Sequence, residues 1–240
     1  MTMDLEFAAR IFGRLVDGLW MTIFIVIASM ILGNLLAIPV ALARVSERWW
    51  LRYPAAAYIL FIRGTPLIVQ MFMIYYGLGQ FPAVRQSFLW PLLRDALVCA
   101  ILALSLNTAG YSGEVLRGAI TAVPKGLKEA GTALGMTRAK VMFLVTLPLA
   151  FRQSLPTFAN ESVLLLKASA IVFTITIRDI MGEAVIIRSQ TFRTLEPLIS
   201  AALLYLVLTF LIVQGFSLLE RRLNVHRRRA TVTELLAGMR

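Results

Sequence analysis

The chain has 240 residues, of which 59% are hydrophobic and 15% charged, with a mean hydropathy of +0.78. A soluble domain of this length needs far more polar surface, so lipid is the natural solvent for the chain. The net charge of +11 would suggest nucleic acid in a soluble protein, but the basic residues lie in short segments between apolar runs, with no base-stacking motif or recognition helix, which argues against that class.

Other classes fall with the reactive residues. One cysteine, Cys99, cannot form an intrachain disulfide and reads as a small core hydrophobe. One histidine, His226, leaves no metal cluster and no histidine-based catalysis.

The N-terminus does not read as a secretory signal, because Asp4 and Glu6 stand where a positive region belongs and the first apolar run is too long. Five runs are expected to cross the bilayer. Residues 18–43 carry no charge and can span with some tilt. Residues 53–79 contain one charge, Arg63, and Gly64-Thr65-Pro66 interrupts the run, freeing backbone groups where they can line a cavity. Residues 96–114 are charge-free until Glu114. Residues 156–176 contain Glu161 and Lys167, and residues 197–219 are charge-free and stop at Glu220-Arg221-Arg222. The apolar segment 141–150 is short and limited by Pro148, so it is expected to be an interfacial or re-entrant helix. Trp49, Trp50 and Trp90 sit at span ends as headgroup anchors. The expected fold is all-α: one polytopic transmembrane domain over residues 1–240.

Lysines and arginines orient these spans. The first, third and C-terminal flanks together hold fifteen, against seven in the N-terminal, second and fourth flanks. The positive-inside rule then places the N-terminus outside and the C-terminus in the cytoplasm. The fourth flank, with Arg178, Arg188 and Arg193, contributes least to this. No internal repeat is visible, and five spans cannot divide into two equal inverted halves, so any two-fold symmetry has to come from a second chain.

The long inward loop, residues 117–152, holds a short amphipathic helix. Pro124 suits its start, Gly135 its C-terminal stop, and Thr137 the cap of the next helix. Leu127, Ala130 and Leu134 fall on one side. Such a helix suits a headgroup surface. It also carries a spaced pattern: Glu129-Ala130-Gly131, three residues, Gly135, nine residues, Val145, one residue, Leu147-Pro148. This resembles the coupling motif of ABC importer permeases, Glu-Ala-Ala, three residues, Gly, nine residues, Ile, one residue, Leu-Pro. Gly131 and Val145 depart from it and keep their positions small or β-branched.

The resemblance covers nearly the whole chain. Arg63-Gly64-Thr65-Pro66 with Gln70, Leu106-Asn107-Thr108-Ala109-Gly110-Tyr111, Asn160-Glu161 after Leu155-Pro156, and Gln190-Thr191-Phe192 are similar to segments of the polar-amino-acid branch, the histidine/lysine/arginine/ornithine and opine permeases. It implies a five-span inner-membrane subunit that pairs with an identical or homologous permease, two ATP-binding subunits and a periplasmic or lipid-anchored amino-acid-binding protein. It implies no cofactor on this chain, ATP-Mg being bound by the partner ATPase. Glu129, Ala130, Gly131 and Gly135 would couple to that ATPase, with Glu129 pairing either there or with Arg138.

Polar groups inside spans are costly and read as functional. At the helical rise, Arg63 lies about 15 Å and Glu161 about 13 Å from the cytoplasmic side, and Asn107 about 16 Å from the other face. An amino acid needs a cation for its carboxylate and an anion for its amine. Arg63 can grip a carboxylate in a two-pronged geometry, and Glu161 can accept from an amine or a cationic side chain. Thr65, Gln70, Asn107 and Asn160 can add neutral hydrogen bonds. An Arg63–Glu161 ion pair, or one from either to Lys167, is the competing arrangement, and Lys167 is left unassigned. Asn107, Tyr111 and Glu114 form a stripe at i, i+4 and i+7, with Tyr111 and Glu114 expected to pack helices. No nucleophile–base pair supports a membrane enzyme. An ion-gradient-driven carrier or channel is the alternative, and it leaves the cytoplasmic helix unexplained.

Overall fold

The structure, a computed structural model, describes residues 5–223, and among these every regular element is helical. Asp4, His226 and the basic C-terminal tail used in the charge count lie outside the described residues. The first helix, α1 (Leu5–Val45), starts well before the apolar run, so that Glu6, Arg10 and Arg14 are helical. The second crossing is broken. Helix α2 (Trp49–Gly64) and α3 (Leu67–Phe72, continuing through a wide turn to Gln80) meet at 106°. The cause is local: Pro66 has no N–H to continue the α2 ladder, and Thr65 before it is extended. Sixteen residues make α2 about 24 Å long, short of a bilayer core of about 30 Å.

Two single-turn helices, α4 (Pro82–Arg85) and α5 (Trp90–Leu93), lead to α6 (Ala96–Ala122), capped by Asp95 through bonds from the Leu97 and Val98 N–H groups. Helix α6 runs past Glu114, so the loop expected from residue 117 begins only at Val123. Next come α7 (Lys125–Ala133), α8 (Arg138–Val141), a wide π turn (Met142–Thr146) and α9 (Leu147–Ser169). From Arg138 to Ser169 the helix is continuous. The segment 141–150 is therefore the base of the fourth membrane helix and not a separate interfacial or re-entrant piece. Pro148 does not end it, because the wide turn before it re-routes the ladder, with the Leu147 N–H bonding the Met142 carbonyl.

The fourth helix also stops earlier than expected, at Ser169, and a 3₁₀ turn follows over Val172–Ile175. The fourth flank, read as connecting loop, contains α10 (Ile180–Thr191), after which α11 (Leu195–Leu223) completes the fold. Ile180, Ala184 and Ile187 put a buried stripe on α10. Asp179 caps it by accepting from the Gly182 N–H at 2.8 Å, and the Tyr205 hydroxyl donates to its other oxygen at 3.0 Å. Buried Glu183 lies 3.6 Å from both Arg14 and Arg178, tying α10 to α1.

Helix α6 is the hub, packed on α1, α2 and α9. Its contact with α1 is made by small residues: a Cβ on Gly33 would lie 2.6 Å from Thr108 Cβ. Close backbone approach of this kind is how helices associate where lipid removes the hydrophobic drive. One apolar core joins Leu15, Ile25, Leu104, Leu166, Ile180 and Leu204, and a second joins Ala41, Leu116, Ile120, Val123, Ala150 and Phe158.

Candidate functional site

Gln70 organises the break in the second crossing. Its amide nitrogen donates to the Ile62 carbonyl (2.9 Å), the Thr65 carbonyl (3.1 Å) and the Thr65 hydroxyl (2.8 Å), and its oxygen accepts from Asn107 at 3.4 Å. The carbonyls left open by Pro66 are thus satisfied from within. Gln70 is only 5% exposed and lies outside the cavity described next. Its place in this chain is to hold the break and to fix Asn107.

Beside the break, a cavity of about 350 Å³ is lined by Thr65, Pro66, Asn107, Thr108, Tyr111 and Glu161, with Leu164, Leu165 and Ala168 as its apolar wall. Three of the residues expected here, Thr65, Asn107 and Glu161, are brought together, from α2–α3, α6 and α9. Arg63 is not in this cavity. It lies across Tyr111 in a second one of about 550 Å³ that also holds Arg44 and Glu114. The Arg63 guanidinium sits 5.2 Å from the centroid of the Tyr111 ring. Among the described residues neither Arg63 nor Glu161 forms a hydrogen bond or an ion pair, so the competing Arg63–Glu161 bridge is not made. Asn160 is exposed and lines neither cavity, and Lys167 is exposed as well.

Tyr111 is the residue that sequence reasoning undervalued. Its ring lines both cavities, while Asn107 one turn away faces the first and Glu114 the second. The i, i+4, i+7 stripe was the available signal. Glu114 itself is held by Arg117 at 2.7 Å and lies 3.8 Å from Arg44.

Helix α7 is closed at its C-terminus by a Schellman motif. The Met136 N–H bonds the Gly131 carbonyl (3.1 Å), the Gly135 N–H bonds the Thr132 carbonyl (3.0 Å), and Gly135 takes φ +77°. Thr137 then caps α8 by accepting from the Lys140 N–H at 3.3 Å. Lys128 reaches back to the Ile120 carbonyl at 3.2 Å, fastening α7 to the end of α6. Gly131 is buried, with Val141 Cγ2 3.0 Å from where a Cβ would stand. Glu129 and Ala130 are exposed, as are Leu127 and Leu134, the latter at 83%. Arg138 pairs with Glu47 at 3.5 Å rather than with Glu129.

This arrangement of spans, broken crossing and short helix α7 suits a transport protein's membrane component. A family model described as "Binding-protein-dependent transport system inner membrane component" matches residues 33–225, and the chain belongs to that family. It is a multi-pass inner-membrane protein, and the ion-gradient-driven carrier or channel is set aside. The chain is 45% identical over 233 residues to the octopine transport system permease protein OccM of Rhizobium radiobacter, covering 97% of this chain and 95% of that one. It is 36% identical over 210 residues to the histidine/lysine/arginine/ornithine transport system permease protein HisM of Salmonella typhimurium, covering 87% and 89%. Among solved structures, an amino acid ABC transporter with histidines superposes with a TM-score of 0.80 at 36% identity, covering 92% of this chain and 100% of that one. The methionine ABC transporter MetNI, with a TM-score of 0.72 at 20% identity and 88% and 96% coverage, shares the fold.

Proposed function

We propose that this chain is the permease subunit of an ATP-driven importer for polar, basic amino acids or opines, and that its cargo crosses the membrane beside Tyr111. The observation that carries the reading is the pair of unpaired charges, Glu161 and Arg63, in two cavities that share Tyr111. An unpaired charge at membrane depth is costly, and a zwitterion relieves both at once. Glu161 receives the amine or cationic side chain, with Thr65 and Asn107 supplying neutral hydrogen bonds. Arg63 receives the carboxylate.

ATP-Mg is bound and hydrolysed on two partner subunits, and this chain performs no bond chemistry. The exposed Leu127, Ala130 and Leu134 on α7 dock on such a subunit, since an apolar face of this kind in water marks a contact surface. A second permease, identical or homologous, closes the path, and a periplasmic or lipid-anchored binding protein delivers cargo from outside. The N-terminus is outside and the C-terminus is cytoplasmic, as the flanking lysines and arginines favour.

The test is reconstitution of the complete transporter in proteoliposomes. ATP-dependent uptake of a basic amino acid is expected, and Glu161→Gln is expected to lower it while leaving the ATP-binding subunits associated. Transport by this chain with no ATP-binding subunit present would refute the reading.

A further inference from the structure

One charge inside the spans has no place in the reading above. Lys167 is exposed, and among the described residues its side chain forms no hydrogen bond or ion pair. Its depth follows from two contacts of α1. The Asp179 backbone packs on Gly18, where the charge-free run begins, and the Ser162 hydroxyl lies 3.3 Å from Met30 Sδ. Met30 is about 18 Å below Gly18 at the helical rise. Helix α9 runs antiparallel to α1, since Ala150 and Phe158 pack with Ala41 while Leu166 packs in the core of Ile25. From Ser162 to Lys167 it therefore returns toward Gly18 by about 7.5 Å, which leaves Lys167 about 10 Å inside the apolar layer. A charge at that depth is costly and reads as functional.

Lys167 also stands at the rim of the Glu161 cavity. Glu161, Leu164, Leu165 and Ala168 form the α9 wall of that cavity, and Leu164 is 54% exposed. Lys167 is one turn beyond Leu164 and directly precedes Ala168. Arg63 lies the other way. Its neighbour Ile62 packs on Gly110, beyond the level at which Thr108 meets Gly33. Across the membrane the order is thus Lys167, Glu161, Arg63, with charges positive, negative and positive.

We infer that Lys167 is a carboxylate station on the entry side of Glu161, an inference that rests on the proposed function. Cargo arriving from outside sets its carboxylate on Lys167 and its cationic end on Glu161. When the path opens inward, Arg63 takes the carboxylate. Glu161 keeps the cation throughout, so neither charge of the zwitterion is left without a partner in the apolar layer.

The purified complete transporter, titrated with arginine and with agmatine, tests this. Agmatine keeps the guanidinium and the stem and lacks the carboxylate. Each is titrated without nucleotide, and again with the ATP-binding subunits held closed by ATP and vanadate so that the path faces outward. In the closed state Lys167→Gln is expected to weaken arginine about ten-fold, the worth of one charge-assisted hydrogen bond, and to leave agmatine unchanged. Without nucleotide it is expected to leave both unchanged, which a misfolded variant cannot do. Lys167→Arg is expected to keep the arginine affinity. An unaltered arginine affinity in the closed state overturns the station and assigns Lys167 to lipid headgroups. Equal weakening of agmatine also overturns it, and an equal loss in both states overturns its place on the entry side. Glu161→Gln tests the parent reading separately. If it weakens both ligands that reading stands whatever Lys167 does, and if it binds both as before the parent reading falls. Failure of the unsubstituted transporter to bind arginine in either state overturns both.

Discussion

The guanidinium of Arg63 lies over the ring of Tyr111, 5.2 Å from its centroid, and Tyr111 also lines the cavity of Glu161. Tyr111 thus borders both of two opposite charges that make no hydrogen bond or ion pair with each other. A cation held on an aromatic face is attracted by about 0.5–2 kcal/mol, less than a buried carboxylate offers. Arg63 is therefore held in place yet available to an incoming anion.

Replacing the ring should expose this balance. Tyr111→Leu is expected to lower cargo affinity about five-fold, the loss of roughly 1 kcal/mol of cation–ring attraction, whereas Tyr111→Phe keeps the ring and should stay near the original value. Equilibrium binding to the purified complex reads both. Equal losses in the two variants would show that the hydroxyl, not the ring, matters.

Gln70 gives a contrasting expectation. It bonds the carbonyls of Ile62 and Thr65 within the chain, so Gln70→Leu should leave buried acceptors unsatisfied at about 1–3 kcal/mol. Folded yield and melting temperature in detergent should fall. The ratio of affinities for different cargoes should not move. A change in cargo preference with unchanged stability would place Gln70 in the binding site instead.

At α7 the prediction is conformational. Gly135 holds φ +77°, where an L side chain costs about 1–2 kcal/mol. Gly135→Ala is expected to loosen the end of α7 and reduce ATP-driven uptake several-fold with normal membrane insertion. Gly135→Asn, which tolerates this region better, should retain more activity. Uptake assays paired with quantification of inserted protein distinguish these outcomes.

Asp179, between the fourth and fifth spans, should make stability depend on pH. Burial pushes its carboxyl from 3.8 up to about 6, against the hydrogen bonds from Gly182 and Tyr205 that pull it down. The folded chain then holds a proton that the unfolded chain has released between about pH 4 and 6. This contribution to stability is complete below the unfolded value and is lost as the pH rises through about 6. At 1.36 kcal/mol per unit the loss is about 3 kcal/mol. Thermal unfolding compared at pH 4.5 and 7.5 should show a drop that Asp179→Asn largely removes.

Much of this was readable from the residues. Long uncharged runs reveal spans because so few charges are tolerated in lipid, and Gly64-Thr65-Pro66 announces a break that no helix can bridge. Gly135 and Thr137 mark the ends of two helices through local chemistry alone. The continuity of the fourth helix was hidden because Pro148 looks like a boundary when turns are assumed to be regular. The wide turn over Met142–Thr146 has no signature in periodicity. Helix α10 was masked by Arg178, Arg188 and Arg193, read as flank charges, although Ile180, Ala184 and Ile187 carried the helical spacing. The division of the site by Tyr111 depends on how α6 lies against α2, a tertiary relation that spacing within α6 does not contain.

The unbroken helix from Arg138 to Ser169 has a mechanical meaning. Its foot adjoins α7, and Glu161 stands about 35 Å up the same rod at the helical rise. A rotation imposed at the foot arrives at Glu161 as displacement of the carboxylate itself, with no chain of side-chain contacts to transmit it. The π turn at Met142–Thr146 and Pro156, which has no N–H for the ladder, are irregular places along that shaft. Together they would set how much of such a stroke reaches Glu161 and how much is absorbed as bending.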